Sequence, residues 1–174
     1  MKLPLPNPLS YRRLDVSMRV CDDSPPVALS KPECVAAFAH GLLDCPQEVM
    51  LWIGVDCRKH VVAVSELFRG TADACLVHPR DVFRNALVMA PTVAGVFLVH
   101  NHPSGSIEPS SEDLRFYEQV TAAGQLLRIP VVDCLVVAEE GFWSKEIGRV
   151  ERSVNYAAML PDPSEGEQPW AALA

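Results

Sequence analysis

Two histidines separated by one residue, followed eleven residues later by an aspartate, are the residues of this sequence best suited to chemistry. His100 and His102 stand at the carboxyl end of an apolar run, Val93 to Val99, which is typical of a buried strand. Side chains two residues apart on a strand project from the same face, so the two imidazoles can chelate one metal ion. Asp113 follows a loop rich in Pro, Ser and Gly, which can fold its carboxylate back toward them.

Two imidazoles and one carboxylate form the ligand set of a catalytic zinc site, whose fourth position stays open for water. Zinc lowers the pKa of such a water to about 7. A general base that lies near the metal without binding it must then carry the proton to the leaving group. Glu48, at the start of another apolar segment, is the candidate for that role.

Simpler interpretations of these residues stay open at this point. Ser110, three residues before Asp113, also matches a plain helix N-cap, because a serine hydroxyl and an acid in the third position both favour a helix start. That role is compatible with metal binding. An isolated His-x-His pair is more often surface or core polarity than a metal site, so the combination of all three residues is what favours a metal.

The elements that must position these residues alternate between helices and strands, which predicts an α/β or α+β fold with a mixed sheet flanked by helices. Trp52 and Phe97 lie inside predicted strands and are expected in the core. The patterns predict a helix over residues 31–43 opened by a Ser30–Glu33 capping box, a hairpin of Glu48–Val55 and Val61–Phe68, a helix from His78 to Pro91, a strand over Val93–His100, a helix from Ser110 to about Leu127, a strand over Val131–Ala138 and a short strand over Phe142–Ile147.

The length of 174 residues, with 49% hydrophobic and 21% charged residues, predicts one hydrophobic core. We expect an irregular N-terminal arm over residues 1–29 with at most one strand at Leu14–Val20, a domain over 30–148, and a C-terminal helix or flexible tail over 149–174. The six cysteines contain no Cys-x-x-Cys pair, so buried free thiols are favoured over three disulfides. No apolar stretch is long enough for a membrane helix and the N-terminus lacks a signal-peptide pattern, so we expect a cytoplasmic protein with no membrane partner.

The charge balance argues against nonspecific binding to nucleic acid without excluding a nucleic-acid substrate. The formal net charge is −7, and residues 45–140 contain 7 Lys or Arg against 12 Asp or Glu. The acidic balance therefore belongs to the body of the domain. A phosphate backbone would need a local basic patch.

His100-Asn-His-Pro-Ser-Gly105, followed by Pro109-Ser-Ser-Glu-Asp113, resembles the JAMM motif of the MPN-plus zinc hydrolases in the form seen in the bacterial RadC group. The resemblance extends from about Gln47 to Gly148. It implies a JAB/MPN domain, which is a curled mixed sheet flanked by helices and similar to cytidine deaminases. It also implies Zn²⁺ as the cofactor.

The resemblance assigns each motif residue a role: His100, His102 and Asp113 as zinc ligands, Glu48 as acid and base, and Ser110 as a hydrogen-bond donor to the oxyanion. Two departures stand out. RadC relatives usually carry His where this chain has Cys134. Long members also have an N-terminal helix-hairpin-helix region, and we expect this chain to be a short form without it.

The leading hypothesis is a zinc hydrolase that cleaves a peptide or isopeptide bond in a peptide or protein substrate with metal-activated water. The association of RadC with DNA repair motivates an alternative, a metal-dependent nuclease acting on single-stranded DNA. A non-catalytic MPN scaffold is the third hypothesis. A base deaminase is rejected because the His-x-Glu and Pro-Cys-x-x-Cys signatures are missing. A homo-oligomer is left open.

Overall fold

The structure is a computed structural model that describes residues 27–70, 77–89, 92–152 and 154–156. The strand predicted at Leu14–Val20 and the tail beyond Leu160 lie outside these residues. No helix among the described residues is long and apolar enough to cross a membrane. The elements are, in chain order, α1 (Pro32–Phe38), a 3-10 helix (His40–Asp44), β1 (Glu48–Val55), β2 (Val61–Gly70), α2 (Pro79–Val88), β3 (Gly95–Asn101), α3 (Ser111–Leu127), β4 (Val131–Ala138), β5 (Gly141–Ser144) and β6 (Arg149–Arg152).

The six strands form one mixed sheet in the order β2-β1-β3-β4-β5-β6. β3 and β4 pair in parallel, with α3 as the connection between them, and the other neighbours pair antiparallel. The predicted α/β fold with a mixed sheet flanked by helices is therefore confirmed. In the antiparallel pairing of β1 with β3, Met50 lies opposite His100.

The sheet is covered on both faces, which explains why β1 and β3 are apolar except at the end that carries Glu48, His100 and Asn101. One face packs on α1 through residues such as Leu51, Phe97 and Val99. The opposite face packs on α2 and α3 through residues such as Trp52 and Leu98. Trp52 and Phe97 are both buried, as predicted.

The first helix is shorter than predicted and begins one residue later. Residue Lys31 is extended, and it is the N-cap in place of Ser30, with no side-chain cap bond. The reason is Pro32, because a proline disfavours helical dihedrals in the residue before it. The helix ends at Phe38 and a 3-10 turn follows, where Gly41 lowers the helix propensity.

The strand predicted over residues 142–147 is present but shorter, and a further strand that was not predicted follows it. β5 ends at Ser144, and a turn that uses the positive φ of Gly148 leads into β6. Asp133 fixes this turn by accepting hydrogen bonds from the Ser144 hydroxyl and from the Glu146 N–H. The sheet thus continues past residue 148, although the domain limits themselves stay a prediction.

The cysteines in the described residues are free thiols, which is the state that the sequence analysis favoured over disulfides. Their burial was predicted less well. Cys134 is buried, Cys34 and Cys45 are half-buried, and Cys57 is exposed because it lies in the turn between β1 and β2.

Candidate metal centre

The end of β3 places two histidines on one face of the sheet. His100 is fully buried, on the same face as Leu98 and on the side covered by α3. His102 follows directly after the strand and is half-buried. Asn101, between them, points to the opposite face, as the alternation of a strand requires.

The loop after β3 fixes the orientation of the His102 ring. Its Nδ1 lies 2.9 Å from the carbonyl oxygen of Ser106. The loop can return to this position because Gly105 has φ of 75° and donates its N–H to the carbonyl of His102 at 2.9 Å. A carbonyl only accepts hydrogen bonds, so the proton of neutral His102 sits on Nδ1 and the Nε2 lone pair faces the site.

The start of α3 holds the aspartate in a capping box. The Ser110 hydroxyl oxygen accepts a hydrogen bond from the Asp113 N–H at 3.1 Å, and Asp113 Oδ2 accepts one from the Ser110 N–H at 2.8 Å. The Ser110 hydroxyl also donates to Oδ2 at 2.6 Å. The N-cap interpretation is therefore confirmed. It coexists with a carboxylate that faces the two histidines.

The Nε2 atoms of the two histidines and the carboxylate oxygens of Asp113 lie at spacings that suit a small tetrahedral metal ion. His100 Nε2 lies 3.0 Å from His102 Nε2 and 3.6 Å from Asp113 Oδ1, and His102 Nε2 lies 3.3 Å from Asp113 Oδ2. Ligands at the corners of a tetrahedron around zinc, each roughly 2.0 Å from the metal, are about 3.3 Å apart. The residues present therefore fit a metal ion of this kind, and these three could hold one.

The electrostatics of the cluster keep the aspartate ionised. Burial of the Asp113 carboxyl opposes ionisation, but hydrogen bonds to His100 and His102 outweigh it and hold its pKa well below the usual range. In turn, the hydrogen bond to Asp113 raises the pKa of His102. An anionic ligand is thus available at any pH near neutrality, whereas a proton competes with a metal for His102.

Glu48 is the first residue of β1 and lies beside the cluster without joining it. Its side chain is on the same face as Met50, and the register that pairs Met50 with His100 puts position 48 opposite position 102. The residue is 7% exposed, and its charge contributes to the raised pKa of His102. It is not among the residues whose ligand atoms converge. A buried carboxylate next to the ligands is where a general base is needed.

Asn101 fixes the backbone on both sides of Glu48. Its Oδ1 accepts from the Val49 N–H at 2.9 Å, and its Nδ2 donates to the carbonyls of Gln47 at 3.1 Å and Cys45 at 3.3 Å. The middle residue of the His-x-His segment therefore ties the position of Glu48 to the strand that carries the histidines.

Ser110 lies at the cluster, but its hydroxyl hydrogen is directed at the Asp113 carboxylate. In the described geometry it orients a candidate metal ligand. The role as an oxyanion donor stays a prediction, since it requires that hydrogen to turn toward a substrate.

Two supporting residues were missed by the sequence analysis. Tyr117 is fully buried, and its hydroxyl lies 2.8 Å from His100 Nδ1. Its position four residues after Asp113 on one helix is a signal that could have found it, because such residues share a face. Asn101 has no comparable local signal, since its partners lie 52 to 56 residues away.

Cys134, at the position where the resemblance leads one to expect His, lies in the cluster of buried residues that contains Tyr117. Burial raises the pKa of its thiol, which stays protonated at neutral pH. A protonated, buried thiol is neither a metal ligand nor a nucleophile.

Comparison with known proteins finds a matching family model and several relatives. Residues 29–149 match the family model described as the RadC-like JAB domain. A UPF0758 protein of Thermotoga maritima is 35% identical over 119 residues, covering 68% of this chain and 53% of the relative. A UPF0758 protein of Thioalkalivibrio sulfidiphilus is 43% identical over 113 residues, covering 64% of this chain and 50% of the relative. The chain spans about half the length of these relatives, and it belongs to the RadC-like JAB domain family.

Proposed function

We propose that this protein is a zinc-dependent hydrolase that cleaves a peptide or isopeptide bond. One observation carries the proposal: two Nε2 atoms and a carboxylate converge at tetrahedral spacing beside a buried carboxylate, Glu48, that is not a ligand. Metal-assisted hydrolysis needs such an arrangement, in which the metal ligands and the group that carries the proton are different residues.

Each residue of the site has a defined task in this proposal. Zinc supplies a polarised carbonyl and a water of lowered pKa when it is bound. Glu48 accepts the proton of the attacking water and delivers it to the leaving amine. Ser110 holds Asp113 in place and donates a hydrogen bond to the substrate carbonyl oxygen as negative charge develops on it.

The charge of the site favours a neutral amide over a phosphodiester. Two carboxylates, those of Asp113 and Glu48, lie at the cluster, and the whole chain has a net charge of −7. A phosphodiester would bring a further negative charge into this environment. Cleavage of single-stranded DNA is therefore the second candidate and belongs in the same assay.

The first experiment measures zinc per chain by plasma mass spectrometry on protein purified without a polyhistidine tag or chelators. About one zinc per chain is expected for the wild type, and a marked loss is expected for Asp113→Ala. Asp81→Ala is the matched control, because Asp81 has the same third position in α2 and accepts from the His78 N–H without contacting a metal cluster. Absence of zinc from the wild type would contradict the proposal and favour a scaffold.

The second experiment tests the reaction with peptide, isopeptide and single-stranded DNA substrates. Glu48→Gln is expected to keep its zinc and to lose turnover by about 100-fold or more, since general base catalysis contributes about 10²–10⁴-fold. Wild-type turnover by this variant would remove Glu48 from the mechanism. Cleavage of DNA alone, abolished by Asp113→Ala, would establish the nuclease instead.

A further inference from the structure

Tyr117 is the only described side chain that hydrogen-bonds the ring nitrogen of His100 that faces away from the candidate ligand cluster. The hydroxyl lies 2.8 Å from His100 Nδ1, and the phenol is fully buried. Its ring stacks on Trp143 at a centroid distance of 6.0 Å and an interplanar angle of 11°. Lys145 donates to the Tyr117 carbonyl at 3.1 Å, so both the ring and the backbone of this residue are fixed.

The two histidines differ in the kind of partner that their Nδ1 atoms have. The partner of His102 is the Ser106 carbonyl, which only accepts and therefore permits a single neutral tautomer. The partner of His100 is a hydroxyl, which both donates and accepts. Tyr117 can thus support a proton on either nitrogen of His100.

This difference between the two Nδ1 partners matters because His100 Nε2 faces His102 Nε2 and Asp113 Oδ1. When Nε2 carries the proton, it can donate to His102 Nε2 at 3.0 Å, and the Tyr117 hydroxyl then donates to Nδ1. When Nε2 binds a metal, the proton must sit on Nδ1, and Tyr117 Oη accepts a hydrogen bond from this Nδ1–H. A carboxylate or carbonyl in this place would support only the second state.

We propose that Tyr117 is a positioning residue for the metal site, which holds the His100 ring in place and accepts a hydrogen bond from its Nδ1–H when Nε2 binds zinc. This inference rests on the proposed function, because it presumes that the cluster binds zinc. Partners of this kind typically account for 10–100-fold in metal affinity.

The test compares Tyr117→Phe with the wild type in zinc titrations against a competing chelator, using the full chain. We expect the zinc dissociation constant to rise about 10–100-fold, because only the hydroxyl is removed. Tyr156→Phe is the matched control, since it also removes a buried phenol hydroxyl, one that donates to the Ala138 carbonyl away from the cluster. Its zinc affinity should stay at the wild-type value even if its stability falls.

A second measurement begins with the zinc-loaded wild type, so its first result does not depend on the folding of any variant. In long-range ¹H–¹⁵N spectra of the zinc-loaded wild type, His100 should coordinate through Nε2 and show an Nδ1 proton protected from exchange with water. In Tyr117→Phe that proton should exchange faster, whereas in Tyr156→Phe it should exchange as in the wild type.

The outcomes separate this inference from the proposed function. A wild type that binds no zinc overturns the proposed function. A wild type that binds zinc, with Tyr117→Phe equal to Tyr156→Phe in affinity, overturns the role of Tyr117 alone. Coordination of zinc through His100 Nδ1 would do the same.

Discussion

Asn101→Ala should lower the stability of the fold strongly, although it removes only a small amide group. The Asn101 residue is 3% exposed, and its amide makes three hydrogen bonds to the backbone, at Val49, Gln47 and Cys45. Each such bond contributes about 1 kcal/mol, and a buried group left without a partner costs about 1–3 kcal/mol. The Val49 N–H loses this acceptor when the amide is removed. We therefore expect the free energy of unfolding to fall by about 3–5 kcal/mol.

Urea unfolding followed by tryptophan fluorescence measures this loss. Asn85→Ala is the control, because Asn85 is half-buried in α2 and its side chain makes no hydrogen bond within the described residues. That control should change stability by at most about 0.5 kcal/mol. A loss of less than about 1 kcal/mol for Asn101→Ala would refute the reasoning.

The same substitution should affect turnover more than metal content. His100 and His102 are oriented from the other face of the sheet by Tyr117 and Ser106, so zinc binding should survive in folded Asn101→Ala protein. Glu48 loses the bonds that fix its neighbouring peptide groups. Loss of zinc equal to the loss of turnover would show that Asn101 supports the ligands and not Glu48.

Three further predictions concern other parts of the structure. Asp133→Ala leaves the Ser144 hydroxyl and two backbone N–H groups without their acceptor, so calorimetry should show a loss of about 2–4 kcal/mol. Arg128→Gly and Lys59→Gly relieve left-handed φ angles of 59° and 63°, so each should raise the free energy of unfolding by about 0.5–1 kcal/mol in urea titrations. The hydrogen bond to Asp113 raises the pKa of His102, so protons compete with zinc for this residue up to a higher pH than at a free histidine. Chelator titrations between about pH 5.5 and 8.5 should therefore show a zinc affinity that rises with pH and levels off only above the raised pKa. A flat profile would show that His102 is not a ligand.

The candidate ligands could be predicted from the sequence because local rules place all three of them. A strand sets His100 and His102 on one face, a glycine with positive φ returns the loop, and a capping box directs Asp113 toward the strand end. Each rule acts over a few residues and leaves a signature in the spacing. The 3-10 break after α1 was missed although its cause, Pro32 and Gly41, is also local, because a continuous apolar pattern concealed it.

The supporting residues could not be predicted in the same way, since their roles depend on pairings between distant segments. The position of Glu48 depends on the antiparallel register of β1 with β3, which no local pattern specifies. Asn101 illustrates the difference most directly. In the sequence it is the residue between two histidines and nothing around it indicates a role. Its hydrogen bonds to Val49 and Gln47, which flank Glu48, become visible only in the folded sheet.

The arrangement of β3 explains how the candidate ligand His100 and the proposed general base Glu48 are kept at a fixed separation. Alternation along one strand sends His100 to the face covered by α3 and Asn101 to the face covered by α1. His100 is then oriented by Tyr117, while Asn101 holds the backbone around Glu48 from behind. Because adjacent residues of one strand act on both groups, the distance between His100 and Glu48 is set by the peptide geometry and the sheet register, and not by the loops around the site. Substitutions in the loop after β3 should therefore disturb His102 and Asp113 before they change the distance between His100 and Glu48.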